Sequence, residues 1–249
     1  MSQMSNNQPK SIFPGEVFAR TADFDDGIRK LIPKYDEMLD TIVVCLPPRV
    51  DRILELGCGT GELSLKLLKH FPTAEILAVD YSPRMIEWAE SKIKAAGYGD
   101  RWKSIELDFG DWANNREVDP IGKDYHACVS SLAIHHLTNE IKGKLFKQIK
   151  NSLKPGGVFW NADPIALESP QLTEIYQTTR EDWAIEQGAT LAEVRAKIGT
   201  SNNYGYSSHD QLATMEEHLQ MLKAAEFASV AVPWKYYGLA VIGGWIYGD

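Results

Sequence analysis

The chain has 249 residues, of which 44% are hydrophobic and 24% are charged, and its formal net charge is -8 at pH 7. These values are typical of a globular protein with a full core, and they exclude a disordered chain. The negative charge also argues against a large nucleic-acid interface, so we expect no nucleic-acid partner.

Three cysteines, Cys45, Cys58 and Cys128, have neither a paired count nor the spacing of metal ligands. A reducing, cytoplasmic compartment fits this usage best. The first eleven residues are polar and lack the apolar core of a signal peptide, and no apolar run reaches membrane-spanning length. We therefore expect a cytoplasmic protein without a membrane partner, and the sequence leaves a homodimer open.

Residues 12–48 interleave apolar and charged side chains, a pattern that predicts one or two amphipathic helices. Pro33 ends or starts one of these helices. The segment either covers one face of a sheet or closes over a ligand as a lid. In the lid interpretation, Arg20 and Tyr35 are candidate substrate contacts.

A short apolar run at residues 52–56 breaks into three glycines at alternate positions, and a leucine-rich run follows. This order predicts a strand, a tight turn and a helix. The glycines, which let a ligand lie against the backbone, are Gly57, Gly59 and Gly61. A second apolar run at 76–79 ends in Asp80, whose carboxylate can accept both hydroxyls of a ribose. The unit is therefore predicted to bind a nucleoside.

Glu62 stands where the dinucleotide-binding fingerprint has its third glycine. A carboxylate there would repel a phosphate but attract the cationic groups of S-adenosylmethionine (SAM), which has a ribose and no phosphate. The stretch from Glu55 to Gly61, followed by Asp80, resembles the first two motifs of the class I SAM-dependent methyltransferases. The resemblance extends over residues 50–163.

This resemblance implies an α/β fold with a Rossmann-like, seven-stranded, mostly parallel sheet and SAM as the cofactor. The expected single domain, 1–249, divides into an N-terminal helical lid (1–48), a SAM-binding core (49–163), a helical substrate insertion after strand five (164–206) and a closing helix with a strand pair (207–249). The expected cofactor-binding residues are Glu55, Gly57, Gly59 and Gly61 for the methionine part, Asp80 and Tyr81 near the ribose, Asp108 and Phe109 near the adenine, and Ser130.

Ser82 and Pro83 open the next helix as N-cap and first helical residue, and Gly97 is its expected C-terminal cap. Its predicted buried stripe is Met85, Ile86, Trp88, Ala89 and Ile93. The third strand is predicted at 102–107 and the fourth at 125–130.

The fourth strand leads into His135 and His136, which resemble the His-His-Leu pattern at this point in many small-molecule methyltransferases. Because ligands bind beyond the carboxyl ends of parallel strands, this tail is expected to face the cofactor. Adjacent histidines should point apart, so that at most one faces the substrate. His135 is the candidate base and substrate contact. The alternative, that both histidines only pack, stays open.

Thr138 is predicted to cap a helix that runs to Leu153, and the turn 154–157 then leads to a fifth strand at 158–162. Asn161 and Asp163 lie at the ligand-facing end of that strand. They do not make the Asp plus Asp-Asn set of catechol-type enzymes, so no metal is expected.

The insertion carries two helix starts, Ser169-Pro170 and the capping box that begins at Thr190. Residues 202–206 are predicted as loop, and Ser208 with Gln211 as the cap of the last long helix. Residues 227–234 and 237–246 are predicted as the closing strand pair, with the last strand antiparallel by the resemblance. Tyr236, in their connection, is a candidate substrate contact.

The predicted function is transfer of the SAM methyl group to a small-molecule acceptor. Two alternatives stay open. Residues 18–35 resemble the N-terminal segment of carboxy-SAM synthases, which modify SAM for use on tRNA. The chain could also be a non-catalytic SAM-binding protein.

Overall fold

The computed structural model describes residues 23–115, 120–196 and 209–248. Within these ranges the strands are β1 (Arg52–Leu56), β2 (Glu75–Asp80), β3 (Trp102–Glu106), β4 (Tyr125–Ser131), β5 (Leu153–Pro164), β6 (Ser229–Tyr236) and β7 (Leu239–Trp245). The α-helices are α1 (Phe24–Leu31), α2 (Tyr35–Val44), α3 (Glu62–His70), α4 (Pro83–Ala95), α5 (Phe109–Ala113), α6 (Asn139–Ser152), α7 (Pro170–Glu186), α8 (Leu191–Ala196) and α9 (Met215–Ala224).

The strands form one sheet in the order β3-β2-β1-β4-β5-β7-β6. Strands β1 to β5 pair in parallel, whereas β7 runs antiparallel to both β5 and β6. This arrangement confirms the expected seven-stranded, mostly parallel sheet with an antiparallel last strand. The strand order reverses between β1 and β4, and in open α/β sheets a ligand binds beyond the carboxyl ends of the strands at such a point.

The central strands are buried on both faces, because successive side chains of a strand point to opposite sides. Ile53 joins a core cluster that includes residues of α2, α3 and α4, such as Met38 and Leu67. The next residue, Leu54, joins a second cluster that includes Phe146 of α6. Helices on both faces thus hold the sheet and leave its carboxyl edge available for a site.

The predicted helix starts are largely confirmed. The hydroxyls of Ser82, Thr138 and Ser169 each accept a backbone N–H of the helix that follows. Thr190 and Glu193 form the predicted capping box, since each side chain bonds the other residue's backbone N–H. These local signals therefore specify where α4, α6, α7 and α8 begin.

The buried stripe of α4 consists of Met85, Ala89 and Ile93, four residues apart, whereas Trp88 lies at its edge and is 37% exposed. The prediction for Trp88 was wrong because, at about 100° per residue, its side chain is rotated by about 60° from Met85 and about 100° from Ala89, away from the stripe. Leu153 also lies in β5 rather than α6. It pairs with Tyr125 of β4. The register between β4 and β5 then shifts, so that the next pair is Ala127 with Val158 and the predicted turn 154–157 lies within β5.

The cap of the last helix was predicted wrongly. Thr214 and Glu217 form a capping box that starts α9 at Met215. Residues 209–214 run instead along the end of the sheet, where the Gln211 backbone N–H donates to the His135 carbonyl at 2.8 Å. Ser208 and the predicted loop 202–206 lie outside the described residues, as does the part of the N-terminal segment that contains Arg20.

Candidate active site

The glycine turn after β1 has a left-handed backbone that suits glycine, with φ of +73° at Gly57 and +49° at Gly59. A Cβ on Gly57 would lie 2.1 Å from the Cβ of Ala133, so this glycine permits a close approach of the tail after β4. A Cβ on Gly59 would meet no atom within 4 Å. Gly59 thus faces open space over the turn, where a ligand can contact the backbone.

Asp80, at the end of β2, ties this turn to the neighbouring strand. Its Oδ2 accepts the backbone N–H of Gly59 and its Oδ1 accepts that of Ser82, both at 2.9 Å. A carboxylate has about four lone-pair sites, so it can still accept hydrogen bonds from a ligand. Asp80, Tyr81 and Ser82 line a first cavity above the turn.

Glu55 lies beneath the same cavity and is buried. Burial raises the pKa of Glu55 to about 8; the nearby charge of Asp80 adds to this, and a hydrogen bond from Ser64 opposes it. Trp102 donates its indole N–H to the Ser64 hydroxyl at 2.9 Å, and that hydroxyl donates to Glu55. A buried carboxyl of this kind is suited to receive a ligand's ammonium group, which would favour its charged form.

Glu62 also lines the first cavity, but its charge is neutralised within the protein. Its two carboxylate oxygens pair with Arg29 at 2.6 Å and Lys92 at 2.7 Å. Burial alone would raise the pKa of Glu62, but these two cations outweigh it and the net pKa lies below its usual value. The prediction that Glu62 attracts the cationic groups of the ligand is therefore not supported by the geometry.

Helix α1 is fastened to the glycine turn by ion pairs and hydrogen bonds. Asp25 accepts from the Thr60 hydroxyl and pairs with Lys92, while Arg29 pairs with Glu62. We call these five residues the α1 contact. Its opposite charges lie on α1, α3 and α4, so these ion pairs hold α1 over the first cavity. That cavity has a volume of about 70 Å³, and its wall includes Phe24 of α1 and Tyr35 of α2.

The other predicted cofactor residues divide into two groups. Tyr81 and Phe109 line the first cavity. Asp108 caps α5 by accepting the Gly110 N–H at 2.7 Å, and Ser130 is fully buried and donates to the Leu56 carbonyl at 2.8 Å. Gly61 is the N-cap residue of α3, and a Cβ on it would lie 3.2 Å from the Cβ of Ala89. These last three support the turn and are not among the residues that line the cavity.

A second cavity of about 340 Å³ adjoins the first. Its walls are mostly apolar and come from α1, the tail after β4, α7, residues 164–167, residues 210–212 and residues 238–239. Phe24, Leu132 and His136 line both cavities. The two cavities therefore meet at these three side chains, and groups bound on either side can approach each other there.

His135 lines the second cavity and is held by Asp163. Its Nδ1 lies 2.8 Å from Asp163 Oδ1, while the other carboxylate oxygen accepts the Asn161 amide at 2.8 Å. Burial would raise the pKa of Asp163, but His135 and the hydrogen bonds outweigh it and the net pKa is lowered. Asp163 is therefore a buried carboxylate that fixes the orientation of the His135 ring.

The expectation that the two histidines point apart was wrong. Their ring centroids lie 4.0 Å apart, and both residues line the second cavity. The reason is local: residues Ile134–His136 form a 3-10 turn rather than an extended segment. Successive side chains in such a turn are separated by about 120°, not 180°, so neighbours can share one side.

Two contributors to this region carried no recognisable sequence signal. Asp210 lies 3.6 Å from His135 Nε2 and 3.7 Å from His136 Nδ1. Lys142 is fully buried on α6, and its ammonium donates to the Gln211 carbonyl, which fixes the chain beside Asp210. The helical pattern of α6 alone would place a lysine at the surface.

The predicted substrate contacts Tyr35 and Tyr236 are not in the second cavity. Tyr35 is buried on the wall of the first cavity. Tyr236 lies in β6, edge-on to Tyr237, and is not among the residues that line either cavity. The predicted place of Tyr236 in the connection was wrong, because β6 extends to that residue and the connection to β7 is Tyr237 and Gly238.

Comparison with known proteins gives concordant similarities. Residues 53–157 match the family model described as a methyltransferase domain. A carboxy-S-adenosyl-L-methionine synthase of Nautilia profundicola is 27% identical over 220 residues, which cover 87% of this chain and 88% of that protein. A malonyl-(acyl-carrier protein) O-methyltransferase of Halalkalibacterium halodurans is 29% identical over 145 residues, 57% of this chain and 51% of the other.

Among solved structures, an O-methyltransferase family protein from Burkholderia thailandensis is similar with a TM-score of 0.67 and 16% sequence identity. The match covers 98% of this chain and 66% of that one, so this chain spans just under two thirds of the other's length. The likeness shows a shared fold.

Proposed function

Because this chain is a class I SAM-dependent methyltransferase, we propose that its acceptor is a small molecule that occupies the second cavity. One observation carries the proposal: Phe24, Leu132 and His136 line both cavities. A methyl donor above the glycine turn and an acceptor in the apolar cavity would meet at these residues. Holding both in reactive geometry can contribute roughly 7 to 11 kcal/mol to catalysis.

The residues of the first cavity fit SAM. The open space over Gly59 admits a ligand to the backbone, Glu55 would receive the ammonium group, and Asp80 would accept the ribose hydroxyls. Tyr81 and Phe109, which line the same cavity, would contact the nucleoside. When bound, SAM supplies a methyl group on a positively charged sulfur. Gly57, Gly61, Asp108 and Ser130 act by shaping the turn and the strand ends.

His135 is the proposed catalytic residue on the acceptor side. Since Asp163 engages Nδ1, the atom available to the cavity is Nε2. That atom would contact the nucleophilic group of the acceptor. The buried pair with Asp163 keeps the ring in one orientation, which is what positioning an acceptor requires.

We further propose that the single domain 1–249 divides as the sequence suggests, with the lid at 1–48 and the substrate insertion at 164–206. The α1 contact supports the lid, because it holds α1 over the first cavity, whose wall includes Phe24 of α1. Wall residues contributed by α7, such as Thr173 and Tyr176, support the insertion.

A second function is favoured by one observation. The relative from Nautilia profundicola that covers most of this chain is named as a synthase of carboxy-SAM, an enzyme for which SAM is itself a substrate. Mass spectrometry of small molecules that copurify with the protein separates the cases: carboxy-SAM favours the synthase, whereas SAM or S-adenosylhomocysteine favours methyl transfer. A SAM-bound protein with no acceptor turnover would favour a non-catalytic role.

We place the enzyme in the cytoplasm, from its cysteine usage, and leave a homodimer open. Among the described residues, none of the helices has both the length and the apolarity to cross a membrane. The net charge of -8 supports a small-molecule partner over a nucleic acid.

The test is a panel of hydroxylated small molecules assayed for release of S-adenosylhomocysteine, with His135→Ala as the variant. We expect turnover to drop while SAM affinity changes by no more than about 1 kcal/mol, because His135 lines only the acceptor cavity. The matched control is His126→Ala, a partly exposed histidine on β4 that pairs with Asp51. Loss of SAM binding by a folded His135→Ala variant, judged by circular dichroism, would contradict the division between the cavities.

A further inference from the structure

Three side chains that can ligate a metal meet on the wall of the second cavity: His135, His136 and Asp210. Asp210 Oδ1 lies 3.6 Å from His135 Nε2 and 3.7 Å from His136 Nδ1. These separations are too long for hydrogen bonds. They are close to the spacing of about 3.4 Å between neighbouring ligand atoms of a tetrahedral ion with metal–ligand bonds of about 2.1 Å.

All three candidate ligand atoms lie within 4.8 Å of one another. Modest side-chain rotation would bring them to bonding distance of one ion, and the Asp210 side chain, at 62% exposed, has room to rotate. The two rings already lie side by side, with centroids 4.0 Å apart. The set is therefore nearly assembled by the fold.

Asp163 supplies the support that such a site needs. A metal-bound histidine almost always donates its other ring N–H to a carboxylate or carbonyl, which fixes the tautomer and leaves the remaining nitrogen as ligand. Here Asp163 Oδ1 lies 2.8 Å from His135 Nδ1, and Asp163 is itself held by the Asn161 amide at 2.8 Å. This leaves His135 Nε2, the atom that faces Asp210, to bind an ion.

The backbone beside Asp210 is also fixed. The Gln211 N–H donates to the His135 carbonyl at 2.8 Å, and the buried Lys142 donates to the Gln211 carbonyl. The approach of Asp210 to the histidines is therefore set by two internal hydrogen bonds of its neighbour, although its own side chain is exposed.

We propose that His135, His136 and Asp210 bind one divalent cation at the acceptor end of the second cavity. Two imidazoles and one carboxylate suit a transition-metal ion such as Zn²⁺, and three protein ligands leave a coordination position open. The proposal rests on the proposed function and narrows it to acceptors with an oxygen nucleophile. The ion would bind the acceptor hydroxyl and lower its pKa.

In that reaction the hydroxyl proton passes to solvent, the O–CH₃ bond forms as the S–CH₃ bond breaks, and S-adenosylhomocysteine leaves. His135 then contacts the acceptor through the ion. The donor set differs from the carboxylate-and-amide set of catechol-type enzymes, whose absence led to the expectation of no metal. Asp210 could not be assigned from sequence because it lies far from the histidines along the chain.

The test is a calorimetric titration of Zn²⁺ into the metal-stripped full chain, with Co²⁺ absorption as a spectroscopic readout of imidazole ligation. We expect one Zn²⁺ per chain, and Asp210→Asn should weaken binding by at least about tenfold. Asp210→Asn is nearly isosteric at an exposed side chain, so it should fold normally, which circular dichroism verifies. His126→Ala is the control, because His126 and Asp51 form a pair with the same 3.7 Å spacing that lines neither cavity.

Absence of Zn²⁺ binding at 100-fold excess over the chain would overturn the proposal, as would equal losses for Asp210→Asn and His126→Ala. SAM binding by the same metal-stripped protein, measured in parallel, separates the two ideas. If SAM binds and Zn²⁺ does not, the metal site is wrong and the methyltransferase function stands. If SAM fails to bind as well, the proposed use of the first cavity fails too.

Discussion

The two cavities meet at shared side chains but are built in different ways. The first depends chiefly on backbone: left-handed glycines, strand ends and a carboxylate that accepts two N–H groups. The second depends on side chains from α1, α7, the tail after β4 and the residues before β7. Changes of backbone freedom should therefore damage the cofactor side most, whereas the acceptor side should tolerate side-chain exchange.

The largest expected effect separates two glycines of the same turn. Gly57→Ala combines a left-handed backbone, costing about 1 to 2 kcal/mol, with overpacking against Ala133, costing about 1 to 3 kcal/mol. The free energy of unfolding, measured by urea denaturation, should fall by the sum of these.

Gly59→Ala is the matched variant, because its Cβ would meet no atom within 4 Å. It should lose only the backbone cost of about 1 to 2 kcal/mol in stability. Its methyl group would nevertheless occupy the space over the turn and weaken SAM binding. Equal destabilisation by the two substitutions would break the distinction between a packed glycine and a ligand-facing one.

The next effect concerns Asp80. Asp80→Ala should weaken SAM binding by roughly 2 to 4 kcal/mol in calorimetry, because hydrogen bonds to a charged acceptor are lost. Wild-type protein should bind SAM and S-adenosylhomocysteine at one site per chain and should not bind NAD. Asp51→Ala, which changes a mostly exposed carboxylate just before β1, should leave SAM affinity unchanged. NAD binding as tight as that of SAM would contradict the assignment of the first cavity.

The smallest expected effect is the release of a proton when SAM binds. With a pKa of about 8, Glu55 is mostly protonated in the free protein at pH 7. The ammonium group of SAM would favour its ionised form, so binding should release a proton, and apparent affinity should rise as the pH increases from 6 to 7. Calorimetry at pH 7 in buffers of different ionisation enthalpy should show net proton release on binding. Glu55→Gln should release almost none, and equal release by both proteins would show that Glu55 does not receive the ammonium group.

What could be predicted from the sequence follows the same division. Gly57, Gly59 and Asp80 act through short-range features, a glycine turn and a strand end, so their positions could be assigned from spacing. The helix starts at Ser82, Thr138 and Ser169 are equally local. The seven-stranded sheet with its antiparallel last strand was implied by the family resemblance and is confirmed.

The remaining errors arise where distant segments meet. Glu62 could not be known to pair with Arg29 and Lys92, because both cations lie about thirty residues away. The contact of Asp210 with the two histidines depends on how residues 209–214 run along the sheet end. Periodicity describes one element at a time, so it cannot locate contacts of this kind.

The position of Phe24 between the two cavities affects the order in which ligands bind and leave. Phe24 lies at the start of α1 and contributes to the walls of both cavities, and α1 is held by Asp25 and Arg29. A displacement of α1 that admits the nucleoside also alters the boundary with the acceptor cavity. We therefore expect a compulsory order, in which the donor binds first and the methylated product departs before the spent nucleoside.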